Sequence, residues 1–597
     1  MCGIVGYVGK KNCIPILIDG LKNLEYRGYD SAGIAFLDDN QIKVIKKQGR
    51  LVNLIENVDN KYYSNLGIGH TRWATHGVAN EVNAHPHHVG DITLIHNGII
   101  ENYEELRNEL INHGYQIDTE NDTKIACAYI DYLYKNNHDM LKTLSMLKEK
   151  FKGSYALGIL VNGSNKLYAI RKDSPLIIGV SNDGNYIASD VFAILNETNK
   201  YIVLDNNEVV ILDNKVHVYN NGVLVDKKIL TFNHKADEIT KNGYSHFMLK
   251  EIHEQDNLAK KLIDMYLENK DTIINKMPCF DKYEKIDIVA CGSAYHAGMI
   301  GKSLIEEYGD IPVSVNLASE YRYKKLFLND KTLVIAISQS GETADTLASV
   351  NIAKQNNADT LGIVNVALSS IARVCDNVLY TNAGPEIAVA TTKAYSMQVL
   401  MLTLIALNIG VSKNLIDKDK LDYIINNYRL LPSKIKEEIN KNYSDIAKQI
   451  YNKNDIFFIG RNVDYALAME GSLKLKEISY LHAESYAAGE LKHGTISLIE
   501  EGTPVIAIVT DDKIYEKTIS NIKEVKARGA NVILITNDKL DVNGDFYDSK
   551  IVVSNLHNLV NSLITIVPLQ LIAYEVAKMK NLDIDKPRNL AKSVTVE

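Results

Sequence analysis

Short apolar runs separated by turn residues fill roughly the first 230 positions of the chain. The runs are GIVGYV, GIAFL, DITLIHNG, YALGIL, KLYAI, PLIIGV, YIVL and EVVIL. Helical periodicity interrupts them only at about residues 101–113, 121–135 and 140–152. Many short strands with helices set apart predict an α+β fold in which sheets and helices are packed in layers.

From about residue 280 the pattern changes to strand, Gly or Ser turn and long helix, repeated. KIDIVACGSAYHAG and KTLVIAISQSGETADTLASV are two such units, and DIFFIGRNVDYALAMEG and TPVIAIVTDDKIYEKTI follow in the same order about 170 residues later. This shared spacing predicts a duplicated, doubly wound α/β domain. The polar stretch at residues 231–260 is typical of a linker between domains.

Composition narrows the class of protein. A chain of 597 residues suggests roughly three to four domains, and 46% hydrophobic with 23% charged residues is typical of a globular protein. The net charge of -8 argues against binding to nucleic acid or an anionic membrane surface. LVNSLITIVPLQLIAYEVA is interrupted by Asn561, Pro568 and Gln570, which predicts a buried core helix rather than a membrane span.

The cysteines and histidines indicate neither a disulfide scaffold nor a metal site. Six cysteines lie far apart without a CxxC pair, and no signal peptide pattern precedes them, so we expect a cytoplasmic protein. Several histidines crowd one part of the N-terminal half without a defensible zinc spacing, so no metal and no cofactor are expected. They are His70, His76, His85, His87, His88 and His96.

The segment SQSGET follows the buried strand TLVIAI, where a doubly wound sheet binds its ligands. Its predicted ligand-binding side chains are Ser338, Gln339, Ser340 and Thr343, and Gly341 lets the backbone approach an anion. Because no Walker lysine is present, the pattern favours a sugar phosphate over a nucleotide. The alternative is an ordinary helix N-cap cluster.

Longer motifs identify a family. SQSGETADTLA and ACGSAYHAG resemble the sugar isomerase (SIS) domain, while LKLKEISYLHAESYAAGELKHG and KPRNLAKSVTVE are similar to the glutamine:fructose-6-phosphate amidotransferases, the glucosamine-6-phosphate synthases. The match runs from residue 2 to the last residue in family order. It implies an N-terminal nucleophile (αββα) glutaminase domain at 2–230, then two α/β doubly wound SIS domains at 277–416 and 447–588. The linker is 231–260, and the tail 589–597 closes the active site.

The motif MCGIVGY resembles the start of N-terminal nucleophile glutaminases. Removal of Met1 would leave Cys2 with a thiol and an α-amine, whose reference pKa values of about 8.5 and about 8 let the neutral amine act as a base. The alternative for Cys2 is a small buried hydrophobe. Acyl transfer also needs oxyanion donors, and the resemblance implies the Asn97 side-chain amide and the Gly98 N–H of IHNGIIEN.

The resemblance also implies the residues that hold glutamine. Arg72 and Asp122 are matched to its α-carboxylate and α-amine, a natural complement of charges. Thr75 and His76 are expected to add contacts. Trp73 is implied to gate a passage for ammonia, although a large core anchor is an equal alternative for the one tryptophan of the chain.

Glu470, Lys474 and Glu477 fall at i, i+4 and i+7 and share one helix face. A solvated stripe of ion pairs is the alternative. Moving a proton between adjacent carbons of a sugar needs a base, and Glu477 beside a lysine is the candidate. His493 in ELKHG titrates near neutrality, and the resemblance implies that it opens the sugar ring, whereas a structural histidine is the alternative.

Lys592 lies near the end of the chain, where a solvated charge is the ordinary interpretation. A desolvated lysine can instead attack a ketone to form an imine, and the resemblance implies this role toward open-chain fructose 6-phosphate. Ala294 and Thr391 depart from the family pattern, in which serine is usual, and Ala294 removes one hydroxyl donor. The remaining expected sugar-site residues are Ser293, Val389, Lys474 and Ala591.

The resemblance implies an enzyme that converts L-glutamine and D-fructose 6-phosphate to L-glutamate and D-glucosamine 6-phosphate, the first step of hexosamine biosynthesis. It implies a homodimer through the SIS half. One alternative is an SIS enzyme that acts on another sugar phosphate, including a deglycating one. A non-enzymatic sugar-phosphate sensor is another, although a sensor would not need the complete set of reactive residues.

Overall fold

The computed structural model describes residues 2–73, 80–119, 121–232, 240–267 and 276–595. The chain divides into two compact units. The first comprises Met1–Glu238 together with Ala591–Glu597, and the second comprises Ile239–Leu590.

The first unit contains two antiparallel sheets. In spatial order the larger has the strands Leu230–Thr231, Lys200–Val203, Ile177–Val180, Gly184–Ala188, Gly3–Gly9, Leu66–Arg72, Ser31–Asp38 and Gln41–Gln48. The smaller has Val223–Val225, Val216–Asn220, Val209–Leu212, Leu167–Lys172, Gly153–Val161, Ile92–Ile100 and His87–Val89. Every apolar run of the N-terminal half that was predicted to be a strand lies in one of them.

The two sheets of the first unit pack face to face, with helices on the outer sides. Ile4 and Ile68 of the larger sheet share a buried cluster with Ile95 and Leu160 of the smaller. Helix Cys13–Leu24 covers the outer face of the larger sheet. Three helices cover the smaller sheet, namely Tyr103–Asn112, Asp122–Asn137 and Met140–Lys150. This is the predicted αββα arrangement.

Helix Cys13–Leu24 corrects the prediction that helical periodicity occurs at only three places in this half. A second unpredicted helix is Leu51–Ile55. The buried positions of the first helix, among them Ile14, Leu17 and Leu21, recur at helical spacing, so the period was present in the sequence. Two other local signals accompany this helix. Asn12 caps it by accepting a hydrogen bond from the Ile14 N–H, and Pro15 lies in its first turn.

The second unit contains two parallel five-stranded sheets with the same strand order. One has, in spatial order, Val313–Leu317, Lys285–Ala290, Thr332–Ser338, Asp359–Val364 and Asn377–Tyr380. The other has His482–Ala487, Asp455–Gly460, Pro504–Val509, Asn531–Asn537 and Ser549–Val553. When the strands of each sheet are numbered along the chain, their spatial order is 2-1-3-4-5 in both sheets, which is a doubly wound topology. The duplication predicted from the repeated spacing is therefore confirmed.

One continuous core between the two sheets is shared by the helices Phe247–His253, Gln255–Tyr266, Ser293–Gly309, Lys393–Ser412, Lys418–Ile439, Ser444–Ile450, Val463–Ser479 and Asn558–Met579. Helices Ala318–Tyr321, Ala344–Gln355 and Ser370–Val374 pack in a separate cluster on the first sheet, and Tyr515–Lys526 packs in another on the second. Lys393–Ser412 and Asn558–Met579 are long and apolar enough to cross a membrane, yet 100% and 94% of their apolar windows are buried here. The segment around Pro568 is thus a core helix, as predicted.

The linker predicted at residues 231–260 is wrong in its second half. From Phe247 the chain is helical, and Met248, Ile252 and Ala259 belong to the core of the second unit. Their helical spacing is hidden among charged neighbours. The predicted tail 589–597 is split between the two units, because the second unit ends at Leu590 and Ala591 with the described residues after it groups with the first unit.

Candidate active sites

Cys2 lies at the start of strand Gly3–Gly9, which pairs with the end of strand Leu66–Arg72. Because Gly3 pairs with Thr71, the antiparallel register places Cys2 opposite Arg72 and next to Trp73, whose main-chain N–H donates to the Cys2 Sγ at an N···S distance of 3.3 Å. Burial raises the pKa of the half-buried Cys2 thiol, while the Trp73 backbone and the Arg72 guanidinium oppose that rise. The structure thus brings the predicted nucleophile next to two other predicted site residues.

Asn97 and Gly98 lie on strand Ile92–Ile100 of the other sheet. The Asn97 Nδ2 donates a hydrogen bond of 2.9 Å to the main-chain oxygen of Cys2. Gly98 has φ +127°, and a Cβ there would lie 2.0 Å from the Ser154 oxygen, so no larger residue fits. The predicted oxyanion donor is therefore in contact with the predicted nucleophile, and its role stays a prediction.

Arg72 and Asp122, predicted to hold glutamine, are both buried. Burial lowers the pKa of Arg72, against the attraction of the Cys2 thiolate and the Asp122 carboxylate. Asp122 begins helix Asp122–Asn137, and its carboxylate accepts hydrogen bonds from the N–H groups of Ile100 (3.1 Å) and Thr123 (2.8 Å). The helix N-terminus and these donors stabilise its negative charge.

Four buried histidines lie behind this site. The His70 ring stacks on that of His85 at a centroid distance of 4.1 Å, and His85 meets His87 edge-on at 4.9 Å. The fourth, His96, has its Nδ1 2.9 Å from the Thr123 hydroxyl. Burial lowers the pKa of each ring, that of His70 to about 3.

Two other predicted contacts of glutamine, Thr75 and His76, lie outside the described residues. The main-chain nitrogen and oxygen of Trp73 lie 3.3 Å and 3.5 Å from the Cys2 sulfur. The role of Trp73 as a gate stays a prediction.

The SQSGET loop follows strand Thr332–Ser338 and leads into helix Ala344–Gln355. The Ser338 Oγ lies 2.8 Å from the Thr343 hydroxyl and accepts a 3.0 Å hydrogen bond from the Gly341 N–H. Gly341 has φ +65°, and a Cβ there would lie 2.0 Å from the Ser369 Oγ. The loop is thus tightly folded, with hydroxyls at a helix N-terminus, a place where anions bind.

The other predicted phosphate contacts lie in this loop or just after the neighbouring strand. The Gln339 main-chain oxygen accepts a hydrogen bond from the Asn365 N–H at 3.1 Å, and the Ser340 Oγ accepts one from the Glu342 N–H at 3.2 Å. Ser293 begins the helix that follows strand Lys285–Ala290. That strand is parallel to Thr332–Ser338, so both loops lie at the same edge of the sheet.

The second sheet does not repeat this chemistry. The two sheets can be aligned by their strand pairing, in which Val289 pairs with Ala336 in the first and Ile459 pairs with Ala507 in the second. Five residues further along the chain, Asp464 of the second sheet therefore corresponds to Ala294 of the first. The Asp464 carboxylate is buried and accepts hydrogen bonds from the N–H and hydroxyl of Thr510. Burial raises its pKa to about 6, which leaves it mostly ionised at neutral pH. A carboxylate at this position disfavours an anion.

Glu470, Lys474 and Glu477 form one ion-pair network on helix Val463–Ser479. The Lys474 Nζ lies 3.5 Å from a Glu470 oxygen and 2.5 Å from a Glu477 oxygen. The side chains of Lys474 and Glu470 are 0% exposed and that of Glu477 is 21% exposed, which rules out a solvated stripe. Burial disfavours the Lys474 charge, but Glu477 and Glu470 outweigh it and raise the pKa of Lys474.

Two members of this network were missed by the sequence analysis. The His296 Nδ1 lies 2.8 Å from a Glu470 oxygen. Glu386 also raises the pKa of Lys474, and it accepts a 2.6 Å hydrogen bond from the Thr391 hydroxyl. The Thr391 hydroxyl is therefore hydrogen-bonded to a member of this network. His296 was visible inside the motif ACGSAYHAG, but nothing in the sequence near Glu386 connects it with a lysine 88 positions later.

The structure does not bring every predicted residue to this network. His493 is exposed on the 3₁₀ turn Glu490–His493 and makes no hydrogen bond or ion pair with any described residue. The Val389 N–H donates to the Asp585 oxygen at 2.9 Å. Ala591 and Lys592 group with the first unit, and their roles toward the sugar stay predictions.

Comparison with known proteins assigns a family to both units. A model of the glutamine amidotransferase domain matches residues 70–196, and the SIS domain matches residues 280–408 and 449–579. Two relatives, each aligned over 100% of both chains, are the glutamine–fructose-6-phosphate aminotransferases (isomerizing) of Clostridium acetobutylicum, 48% identical, and Caldanaerobacter subterraneus, 47% identical.

Among solved structures, the C-terminal domain of glucosamine-fructose-6-phosphate aminotransferase from Francisella tularensis is 38% identical with a TM-score of 0.55. The match covers 58% of this chain and 100% of that one. The full-length similarity, together with one amidotransferase match and two SIS matches in this order, leads to one conclusion. The chain belongs to the family of glutamine–fructose-6-phosphate aminotransferases (isomerizing).

Proposed function

We propose that this chain transfers the amide nitrogen of L-glutamine to D-fructose 6-phosphate and isomerises the product to D-glucosamine 6-phosphate, releasing L-glutamate. The observation that carries the proposal is the contact between Cys2 and Asn97 in a chain that also buries the Lys474 and Glu477 pair. The first arrangement suits amide hydrolysis and the second suits proton transfer on a sugar.

In the glutaminase reaction the Cys2 sulfur attacks the side-chain carbonyl carbon of glutamine. Because burial raises the pKa of the thiol, a base must take its proton, and the α-amine freed by removal of Met1 supplies one. The tetrahedral oxyanion accepts hydrogen bonds from Asn97 and Gly98. Ammonia leaves, and water then hydrolyses the thioester to glutamate and regenerates the thiol.

Holding glutamine in line with Cys2 is the proposed task of Arg72 and Asp122. The guanidinium pairs with the α-carboxylate, while the Asp122 carboxylate pairs with the α-ammonium group. Both protein groups are buried and fixed by strand and helix ends, so little freedom is lost when the substrate binds.

In the sugar reaction the phosphate occupies the SQSGET loop and Ser293, with Val389 and Ala591 as further contacts. His493 moves a proton to the ring oxygen and opens the ring. The Lys592 amine attacks C2 of the open-chain ketose and forms an imine with loss of water, and ammonia then displaces the lysine.

The isomerisation moves a proton from C1 to C2 of the resulting imine. Glu477 takes a C1 proton as a base and returns it to C2, while the C1 hydroxyl loses its proton and the imine nitrogen gains one, which leaves an amine on C2 and an aldehyde at C1. The Lys474 ammonium group lies beside the Glu477 carboxylate, and a carboxylate is the form that can accept the proton.

The proposal needs no metal and no cofactor. We also propose that the active form is a cytoplasmic homodimer associated through its second unit, and that Trp73 gates the passage of ammonia. The contact between the Trp73 backbone and the Cys2 sulfur supports the gate, because ammonia is released at that sulfur.

The function is tested by supplying glutamine labelled with heavy nitrogen in the amide, together with fructose 6-phosphate. We expect mass spectrometry to detect labelled glucosamine 6-phosphate. Cys2→Ala should abolish the labelled product while fructose 6-phosphate binding persists, whereas Cys279→Ala, which changes an exposed cysteine, should have no effect. Labelled product from Cys2→Ala, or none from the unaltered chain, would contradict the proposal.

A further inference from the structure

We propose that His70 is a positioning residue of the glutaminase site, and that its ring Nε2–H holds the side-chain amide of Asn97 with the NH2 group facing Cys2. The inference rests on the proposed function of Cys2 and Asn97. His70 lies in strand Leu66–Arg72 and Asn97 in strand Ile92–Ile100, which belong to different sheets. The residue therefore links the two sheets at the site.

The hydrogen bonds determine which ring nitrogen carries the proton. The His70 Nε2 lies 2.9 Å from the main-chain oxygen of His96 and 3.1 Å from the Asn97 Oδ1. A main-chain oxygen only accepts hydrogen bonds, so Nε2 must be the donor. An Nε2–H shared between two acceptors in turn requires an oxygen, not an NH2 group, on the facing side of Asn97.

The contact on the other side of the Asn97 amide, with Cys2, independently requires the same amide orientation. Its other atom lies 2.9 Å from the main-chain oxygen of Cys2, which again only accepts, so that atom must be the nitrogen. Rotation of the amide by half a turn would place oxygen against oxygen at Cys2 and NH2 against N–H at His70. Both contacts would then be repulsive.

The surroundings keep the His70 ring in a single neutral form. Its Nδ1 is buried and has no hydrogen-bond partner among the described residues, so a proton there would be an unpaired buried charge. The ring is stacked on His85, which holds its plane. Burial lowers the pKa of His70 to about 3, so the Nε2–H donor persists across the working pH range.

This arrangement matters because the oxyanion forms only in the transition state. An NH2 group that already faces Cys2 needs no reorientation when charge develops, which is the source of catalysis by preorganised donors. Without His70, the Cys2 main-chain oxygen would be the one hydrogen-bond partner among the described residues left to orient the amide. We therefore expect a loss smaller than that caused by removing Asn97 itself, which is on the order of 10²–10³-fold in kcat.

The test compares His70→Leu, His70→Gln, Asn97→Ala and the double variant His70→Leu with Asn97→Ala, by glutamine hydrolysis in the full chain. His70→Leu should lower kcat on the order of 10-fold to 100-fold with KM for glutamine nearly unchanged. His70→Gln retains an N–H donor and should restore most of that loss. In the Asn97→Ala background His70→Leu should cost nothing further, because its effect passes through Asn97.

Alkylation of Cys2 by iodoacetamide separates positioning from structural damage, since this reaction develops no oxyanion. The rate at Cys2, measured by peptide mass spectrometry against exposed Cys279, should be the same in His70→Leu. His87→Leu changes a buried histidine that does not contact Asn97 and should retain full activity.

Additive losses in the double variant, failure of His70→Gln to restore activity, or slowed alkylation would overturn the inference. An unaffected Asn97→Ala would instead refute the proposed role of Asn97. Should His70→Leu not fold, nitrogen chemical shifts of selectively labelled histidine in the unaltered chain decide the matter, because a proton on Nδ1 of His70 is incompatible with the proposed contacts.

Discussion

Lys474 and Glu470 form an ion pair in which neither side chain is exposed to solvent, with 3.5 Å between Nζ and Oε1. Glu477 shares the same ammonium group and is the only partly exposed member of the three. Taking these charges out of water is costly and is offset only while all of them are present. The pair therefore links the stability of the second unit to its proposed chemistry.

Replacing Lys474 by Met should destabilise the second unit by about 3–5 kcal/mol, because it leaves buried carboxylates without their counterion. Chemical denaturation followed by circular dichroism measures the change. Lys448→Met breaks a fully exposed i,i+3 pair with Asp445 and should leave the free energy of unfolding nearly unchanged. Equal effects of the two substitutions would show that burial of the pair does not matter.

Replacing Ser338 by Ala should weaken fructose 6-phosphate binding roughly tenfold or more, because a hydrogen bond to a charged group contributes about 1.5–3 kcal/mol. It also removes the acceptor of the Gly341 N–H, which shapes the loop. The KM for fructose 6-phosphate measures the effect. Ser349→Ala, which changes a buried serine bonded to the Asp345 oxygen, is the control. A KM unchanged by Ser338→Ala would exclude this loop as the phosphate site.

The stability of the first unit should fall as pH decreases below about 6.5. Burial lowers the pKa values of His70, His85 and His87, so the unfolded chain binds protons that the folded chain does not. Their contribution is complete above the ordinary histidine pKa and is lost on acidification, by up to about 1.4 kcal/mol per pH unit for each ring.

This pH dependence can be followed by the fluorescence of Trp73, the single tryptophan of the chain, during urea denaturation between pH 7.5 and pH 5. The slope near pH 5 should approach about 4 kcal/mol per pH unit from His70, His85 and His87 together, and His96, whose pKa burial also lowers, adds to it with the same sign. His87→Leu should remove about 1.4 kcal/mol per pH unit of this slope. Midpoints that do not change with pH would mean that the rings are protonated in the folded chain.

Replacing Lys592 by Arg should abolish hexosamine formation, since a guanidinium group stays charged and cannot form the imine. Borohydride added with fructose 6-phosphate should trap an adduct on Lys592 in the unaltered chain and none in the variant. Lys578→Arg changes an exposed lysine paired with Glu575 and should leave trapping intact. Trapping at another lysine would refute the proposed role.

Local patterns were sufficient where the structure depends on neighbours in sequence. The helices beginning at Tyr103, Asp122 and Met140 match the ranges that their periodicity predicts to within two residues at each end. Helix Cys13–Leu24 was missed although its buried positions, among them Ile14, Leu17 and Leu21, recur at helical spacing, so the signal was present in the sequence. The helices Phe247–His253 and Gln255–Tyr266 were missed because their sequence is mostly polar and few of their apolar residues reach the core.

Motifs located most of the candidate site, since Cys2, Asn97 and the SQSGET loop each lie in a distinctive segment. Partners contributed from distant segments were not predictable in this way. Glu386 and His296 reach the Lys474 network from two other elements, and the contact of His70 with Asn97 joins two sheets. No local spacing encodes such contacts.

By itself, the sequence determined the alternation of strands and helices, the duplicated doubly wound domain and the identity of the reactive side chains. Only the tertiary structure decided which of those side chains are desolvated and which protein atoms contact them in place of water. Lys474 is an ordinary helix lysine by spacing, and His70 is one histidine among several. Their chemistry depends on desolvation, and desolvation is produced by atoms from elements far away in the chain.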